Sequence, residues 1–150
     1  MKIIIGSDHR GYKIKTKLIK YLNQKGFQVE DIGTHHQETV DYTDFAFKVG
    51  ERVAKKEFDF GVLICGTGMG MMIAVNKVRG IRAVNPKDVK TALLSRQHND
   101  ANVLVFDEKM FMYKIKDIVD DFFLTEPLRT QRYISRNKQI AEYEGGSYEL

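Results

Sequence analysis

Three short runs leave this chain little choice of architecture. Residues 2–7 (KIIIGS), 60–65 (FGVLIC) and 102–106 (NVLVF) are apolar at nearly every position. A strand with one wet face alternates, whereas a run apolar on both faces has to be covered on both. Between these runs lie longer stretches with apolar residues at helical spacing. In 11–25 they are Ile14, Leu18, Ile19 and Leu22, with Gly26 placed to end the helix; in 44–56 they are Phe45, Phe47, Val49 and Val53. Further strands are expected at 27–32 (FQVEDI) and 80–84 (GIRAV). Further helices are expected at 71–78, at 87–96 with Pro86 in its first turn, and at 109–123. A charge-rich last helix spans about 130–144 and is expected to reach toward a partner subunit, while the tail GGSYEL is expected to be mobile. Strands alternating with helices imply an α/β fold: a five-stranded parallel sheet between two helical layers, plus an extra C-terminal helix. At 150 residues, one domain covering 1–150 is expected, with a core large enough to need no staples.

Composition removes several classes of function. The single cysteine excludes an internal disulfide framework and fits a reducing compartment, the cytoplasm. MKIIIGSDHRG has an apolar run too short for a signal-peptide core, and no run approaches a membrane span, so no membrane partner is expected. The net charge is +4, but the lysines are scattered and not interleaved with aromatics. Nucleic acid is therefore not an expected partner, and a basic pocket for an anionic small molecule accounts for the surplus equally well. The four histidines, at 9, 35, 36 and 98, form no metal-binding spacing, so no metal is expected.

In an open parallel sheet, ligands gather at the carboxyl ends of strands where strand order reverses. The first strand ends in Ser7-Asp8-His9-Arg10-Gly11 and the third in Cys65-Gly66-Thr67-Gly68-Met69-Gly70. Taken singly, each has an ordinary reading. Asp8 can cap the following helix, a buried cysteine is usually packing, and three spaced glycines lack the Gly-Lys-Ser/Thr ending of a triphosphate loop. Together they place a carboxylate, an imidazole, a thiol, a hydroxyl and unpaired amides at one sheet edge. The start of a helix beyond Gly68 favours negative charge on a thiolate or an oxyanion, and the glycines let a substrate approach the backbone. His98, in SRQHND, falls at the opposite, amino edge. Either it braces a turn there, or it serves the thiol of another subunit. Arg132 and Arg136 share one helix face, which is either a solvated basic face or a phosphate grip.

The stretches GSDHRGYKIK, DIGTH, CGTGMGMMIAVNKVRGIRAV and SRQHNDANVL, in this order, resemble the type B ribose-5-phosphate isomerases, a family that includes allose-6-phosphate and galactose-6-phosphate isomerases. The resemblance implies a Rossmann-like three-layer sandwich and a homodimer, or dimer of dimers, with active sites shared between subunits. It implies aldose–ketose isomerisation through an enediol without a cofactor. Cys65 would move the proton between C1 and C2. Thr67, with the amides of Gly66, Gly68 and Gly70, would stabilise the enediolate. Asp8 and His98 would assist ring opening, Tyr42 and Asn99 would line the sugar, and His9, Arg132 and Arg136 would hold the phosphate. The chain keeps both the Cys-Gly-Thr-Gly turn and the His-Asn-Asp stretch, which the two unlike galactose-6-phosphate subunits divide between them. Ribose 5-phosphate is therefore the expected substrate, with allose 6-phosphate and galactose 6-phosphate as alternatives. A non-catalytic phosphate- or nucleotide-binding module is the alternative of a different class. The chain departs from the family at Thr43, where proline is usual, at Asn85-Pro86-Lys87, at Lys109, where an arginine is usual, and at Arg129–Tyr133. Lys109 keeps a positive charge without the planar fork.

Overall fold

The computed structural model describes residues 1–150. In chain order the elements are β1 (Lys2–Ser7), α1 (Tyr12–Gln24), β2 (Gln28–Asp31), α2 (Tyr42–Ala54), β3 (Phe60–Cys65) and α3 (Met69–Val75). They continue with β4 (Ala83–Val84), α4 (Val89–Asn99), β5 (Val103–Asp107), α5 (Met112–Phe122) and α6 (Gln131–Tyr143). The five strands form one sheet in the order β2-β1-β3-β5-β4, every pair parallel.

Successive strand side chains point to opposite faces. Ile3, Ile5, Val62, Ile64, Leu104 and Phe106 meet Leu18 and Leu22 of α1, Ala92 of α4, and Ile115 and Phe122 of α5. Ile4, Leu63, Cys65, Val103 and Val105 meet Ala46, Val49 and Val53 of α2, and Met71 and Val75 of α3. The sheet is thus covered on both faces, which is why its central strands read as unbroken apolar runs. The same alternation sends the Cys65 side chain to the α2/α3 side. The architecture is the expected α/β sandwich.

The structure differs from the sequence-based expectation at several boundaries. Helix α4 begins at Val89, after Pro86, because Asp88 caps it: its carboxylate accepts from Thr91 N at 2.7 Å in a reciprocal box. Helix α3 stops at Val75 and β4 keeps only two residues. Asn76, just beyond α3, donates to the Ala83 carbonyl and accepts from the Ala83 amide, at 3.0 and 2.8 Å. A side-chain amide therefore occupies the hydrogen-bonding groups of the edge strand, which blunts that edge against strand addition. The tail lies back on the body, against Arg79 and Arg82. Gly146 N donates to Ala141 O at 2.8 Å, and the Arg82 guanidinium sits 5.1 Å from the Tyr148 ring. No helix is long and apolar enough to cross a membrane.

Candidate active site

The chain leaves β1 for β2 on one side of the sheet and then crosses to β3 on the other, so the strand order reverses between β1 and β3. Ser7 pairs with Ile64, and Asp8 N donates to Ile64 O at 3.2 Å. This register sets Asp8 and Cys65 side by side at the carboxyl edge. A close approach behind them requires glycine: a Cβ on Gly11 would lie 2.4 Å from Ile64 O.

Asp8 is 6% exposed, and its Oδ1 accepts from Arg10 N at 2.9 Å and Gly11 N at 3.0 Å. Its carboxylate therefore builds the turn into α1, the ordinary reading of that residue, while standing at the site. His9 Nδ1 accepts from Val40 N at 3.3 Å, which ties the loop before α2 to the end of β1. That loop delivers Tyr42 over the glycine turn, close enough that a Cβ on Gly70 would meet its ring at 2.7 Å.

Cys65 is 4% exposed, and Gly68 N donates to its Sγ at 3.2 Å. A hydrogen bond of this kind strengthens as charge builds on the sulfur. Gly68 has φ +77°, and the Asn85 amide fills the space beside it, 2.2 Å from where a Cβ would sit. In the structure the Gly68 amide, one of the donors expected to face the substrate, points to the sulfur. The N–H groups of Gly66, Thr67 and Gly70 make no hydrogen bond within the protein. Exposed Thr67 accepts from Met69 N at 3.3 Å through Oγ1. A cleft of about 390 Å³ opens beside this turn, lined by Arg10, Thr67, Met69, Lys87, Asp107 and Lys109.

Two of these neighbours, Arg10 and Lys87, are held by carboxylates distant in the chain. The Arg10 guanidinium lies against Gly66 and pairs with Glu108, which holds it above its ordinary pKa, first through their hydrogen bond and then through charge. Lys87 Nζ donates to Asn85 Oδ1 at 3.0 Å and pairs with Asp107 at 3.3 Å. Glu108 N in turn donates to Cys65 O at 3.0 Å. Arg10 and Glu108 are 98 residues apart, so only the β1-β3-β5 order brings them together. No three His, Cys, Asp or Glu side chains converge to hold a metal.

The remaining candidates sit elsewhere. His98 and Asn99 end α4, ahead of β5, whereas Cys65 pairs with Asp107 at the far end of β5. Five residues of strand at about 3.3 Å each put roughly 15 Å between the two edges. Arg132 and Arg136 belong to α6, which packs on α4 at that same amino edge. Within one chain, His98, Asn99 and the two arginines do not meet Cys65. A second cleft, of about 370 Å³, lies at the amino edge near Arg82, Arg96 and Asp100. Its arginines are already paired with Asp100, at 2.8 and 2.5 Å, so it offers a ligand no free cation from them.

A family model described as Ribose/Galactose Isomerase matches residues 3–140. The chain is 40% identical over 143 residues to ribose-5-phosphate isomerase B of Escherichia coli, covering 95% of this chain and 96% of that one. Its fold superposes on the ribose-5-phosphate isomerase B of Clostridium thermocellum with a TM-score of 0.92 at 44% identity, over 97% of this chain and 98% of the other. It is also similar to the Mycoplasma genitalium enzyme solved with bound ribulose-5-phosphate, with a TM-score of 0.90 at 39% identity and 96% of both chains covered. The family match runs from residue 3 through the Cys65 turn and into the last helix, and the relatives agree over nearly the whole chain: the chain belongs to the ribose/galactose isomerase family, among the type B ribose-5-phosphate isomerases, which are aldose–ketose isomerases.

Proposed function

We propose that this protein interconverts ribose 5-phosphate and ribulose 5-phosphate through an enediolate, with no metal, in a homo-oligomer whose sites are shared between subunits. The observation that carries the reading is the buried Cys65 thiol, held by Gly68 N–H beside Asp8 and below Tyr42. Only a stabilised oxyanion makes a C–H next to a carbonyl acidic enough to transfer. The unpaired amides of Gly66, Thr67 and Gly70 and the Thr67 hydroxyl are the available donors. Cys65, as thiolate, takes the proton from C2 of the open aldose while the carbonyl electrons move onto O1. The resulting thiol returns the proton to C1, and the proton on O2 passes to O1. The product is the ketose, and the thiolate is regenerated.

Ring opening must come first, because the aldehyde is hidden in the furanose. His98 is the acid or base for that step, with Asp8, and it comes from a second subunit. Two features support a partner here. His98 is remote from Cys65 in its own chain, and Met69 and Ile73, one turn apart on α3 beside the site, are 63% and 61% exposed. Tyr42 and Asn99 line the sugar in this reading. His9, with Arg132 and Arg136 of the partner subunit's α6, holds the phosphate, and Lys109 stands in the cleft at the same end. The relatives named ribose-5-phosphate isomerase B favour the five-carbon sugar.

The test is conversion of ribose 5-phosphate in excess chelator, run alongside allose 6-phosphate. Turnover of the five-carbon sugar is expected. Turnover of the six-carbon sugar alone would move the substrate to the hexoses, and nucleotide binding without isomerisation would favour a binding module.

A further inference from the structure

His98 is held from two directions by one helix. Its imidazole stacks on the Tyr133 ring of α6, with centroids 4.1 Å apart and planes 12° from parallel. Its backbone carbonyl accepts from Asn137 Nδ2 at 3.1 Å. Asn137 is one turn further along α6 and only 3% exposed. A buried asparagine inside a helix is unfavourable on both propensity and desolvation. The bond to His98 is the one hydrogen bond its side chain makes, from Nδ2, while its Oδ1 is buried without a partner. The same Tyr133 ring has the Arg132 guanidinium 5.3 Å from its centroid. Imidazole, phenol and guanidinium thus form one cluster, in which a proposed ring-opening group and a proposed phosphate ligand share a support.

We infer that Tyr133 is a positioning residue: through its stack on His98, with Asn137 fixing the backbone, it sets the imidazole that one subunit presents to the thiol site of its partner. This rests on the shared-site reading above. A flat ring against one face of an imidazole restricts tilt while leaving the ring nitrogens at the edge free to act. The neighbouring Arg132 is held by the same ring, so sugar and phosphate ends are delivered in fixed relation. Misplacement of a reacting group by about 1 Å can cost about 10²-fold in rate, so losing the stack should be visible in turnover before it is visible in folding.

The experiment uses differently tagged subunits, co-expressed and purified as mixed assemblies of Cys65→Ala and His98→Ala chains. Only one kind of site is then complete, with Cys65 from the His98→Ala chain and His98 from the Cys65→Ala chain. Adding Tyr133→Leu to the Cys65→Ala chain, which donates His98, should lower kcat/KM about 10- to 100-fold. Adding it to the His98→Ala chain should leave the mixed activity as it was. A residue needed only for folding would lower both equally, and that result overturns the inference. In the unmixed protein, Tyr133→Phe should restore most of what Tyr133→Leu loses; equal losses would also overturn it. If the mixed assemblies form but show no activity at all, the shared-site reading itself fails. If they are active and Tyr133→Leu is silent in the His98 donor, that reading stands and only the role of Tyr133 falls.

Discussion

At the scale of single residues, burial and hydrogen bonding separate chemical groups from supporting ones. Cys65 is as buried as a packing residue, yet its sulfur receives a backbone N–H, and Tyr42 and the unpaired amides surround it. Cys65→Ala should lower kcat by about 10²–10⁴-fold, the worth of a positioned acid or base, with the unfolding midpoint little changed. Steady-state kinetics with a thermal melt check both halves of that statement. Lys15 presents the opposite case. It is fully buried in α1, and its ammonium meets both Asp31 oxygens at 2.5 Å, while Asp31 also receives Gly33 N at 2.9 Å. Removing the carboxylate strands a buried cation, so Asp31→Ala should destabilise by about 3–5 kcal/mol. Lys15→Met should cost less, because Asp31 is partly solvated and keeps its backbone donor. Urea titrations of the two variants test the asymmetry; equal shifts would show that the pair is not anchored in this way.

At the scale of elements, two glycines close to the site should behave differently. A Cβ on Gly11 would press on the Ile64 carbonyl, which belongs to β3 and cannot swing aside. Gly11→Ala should therefore destabilise by about 1–3 kcal/mol as an overpacked site and reduce activity by parting the ends of β1 and β3. A Cβ on Gly70 would meet the outer end of the Tyr42 ring, a side chain that can rotate away. Gly70→Ala should keep its melting point and raise KM, since it displaces Tyr42, the proposed aromatic wall of the sugar site. The order and kind of the elements were legible in the apolar periods, and the capping signal Asp88-x-x-Thr91 was present for α4 although Pro86 drew the expected start two residues too early. The shortness of β4 was not legible. It follows from Asn76 meeting Ala83, a contact between two side-by-side segments with no trace in either period.

At the scale of the whole molecule, the proposed site draws on a second chain, because His98 and Cys65 lie at opposite edges of the sheet in one chain. Ile73→Lys, placed on the exposed apolar face of α3, should shift the assembly toward monomers in sedimentation velocity and lose activity together with it. A fully active monomer would refute a shared site. Mixed Cys65→Ala and His98→Ala assemblies should regain activity that neither parent has. The sequence alone determined the layered α/β fold, since strands apolar on both faces need two covers, and it placed Asp8 and Cys65 at one edge because parallel strands put all their carboxyl ends there. It also put His98 at the other edge. The tertiary structure decided what joins across the fold: the Arg10–Glu108 pair over the thiol turn, the Lys15–Asp31 anchor, the return of the tail, and the stack of α6 on His98. Those are contacts between residues distant in the chain, and a pattern that repeats every two or 3.6 residues carries the direction of a side chain but not the identity of what it will meet.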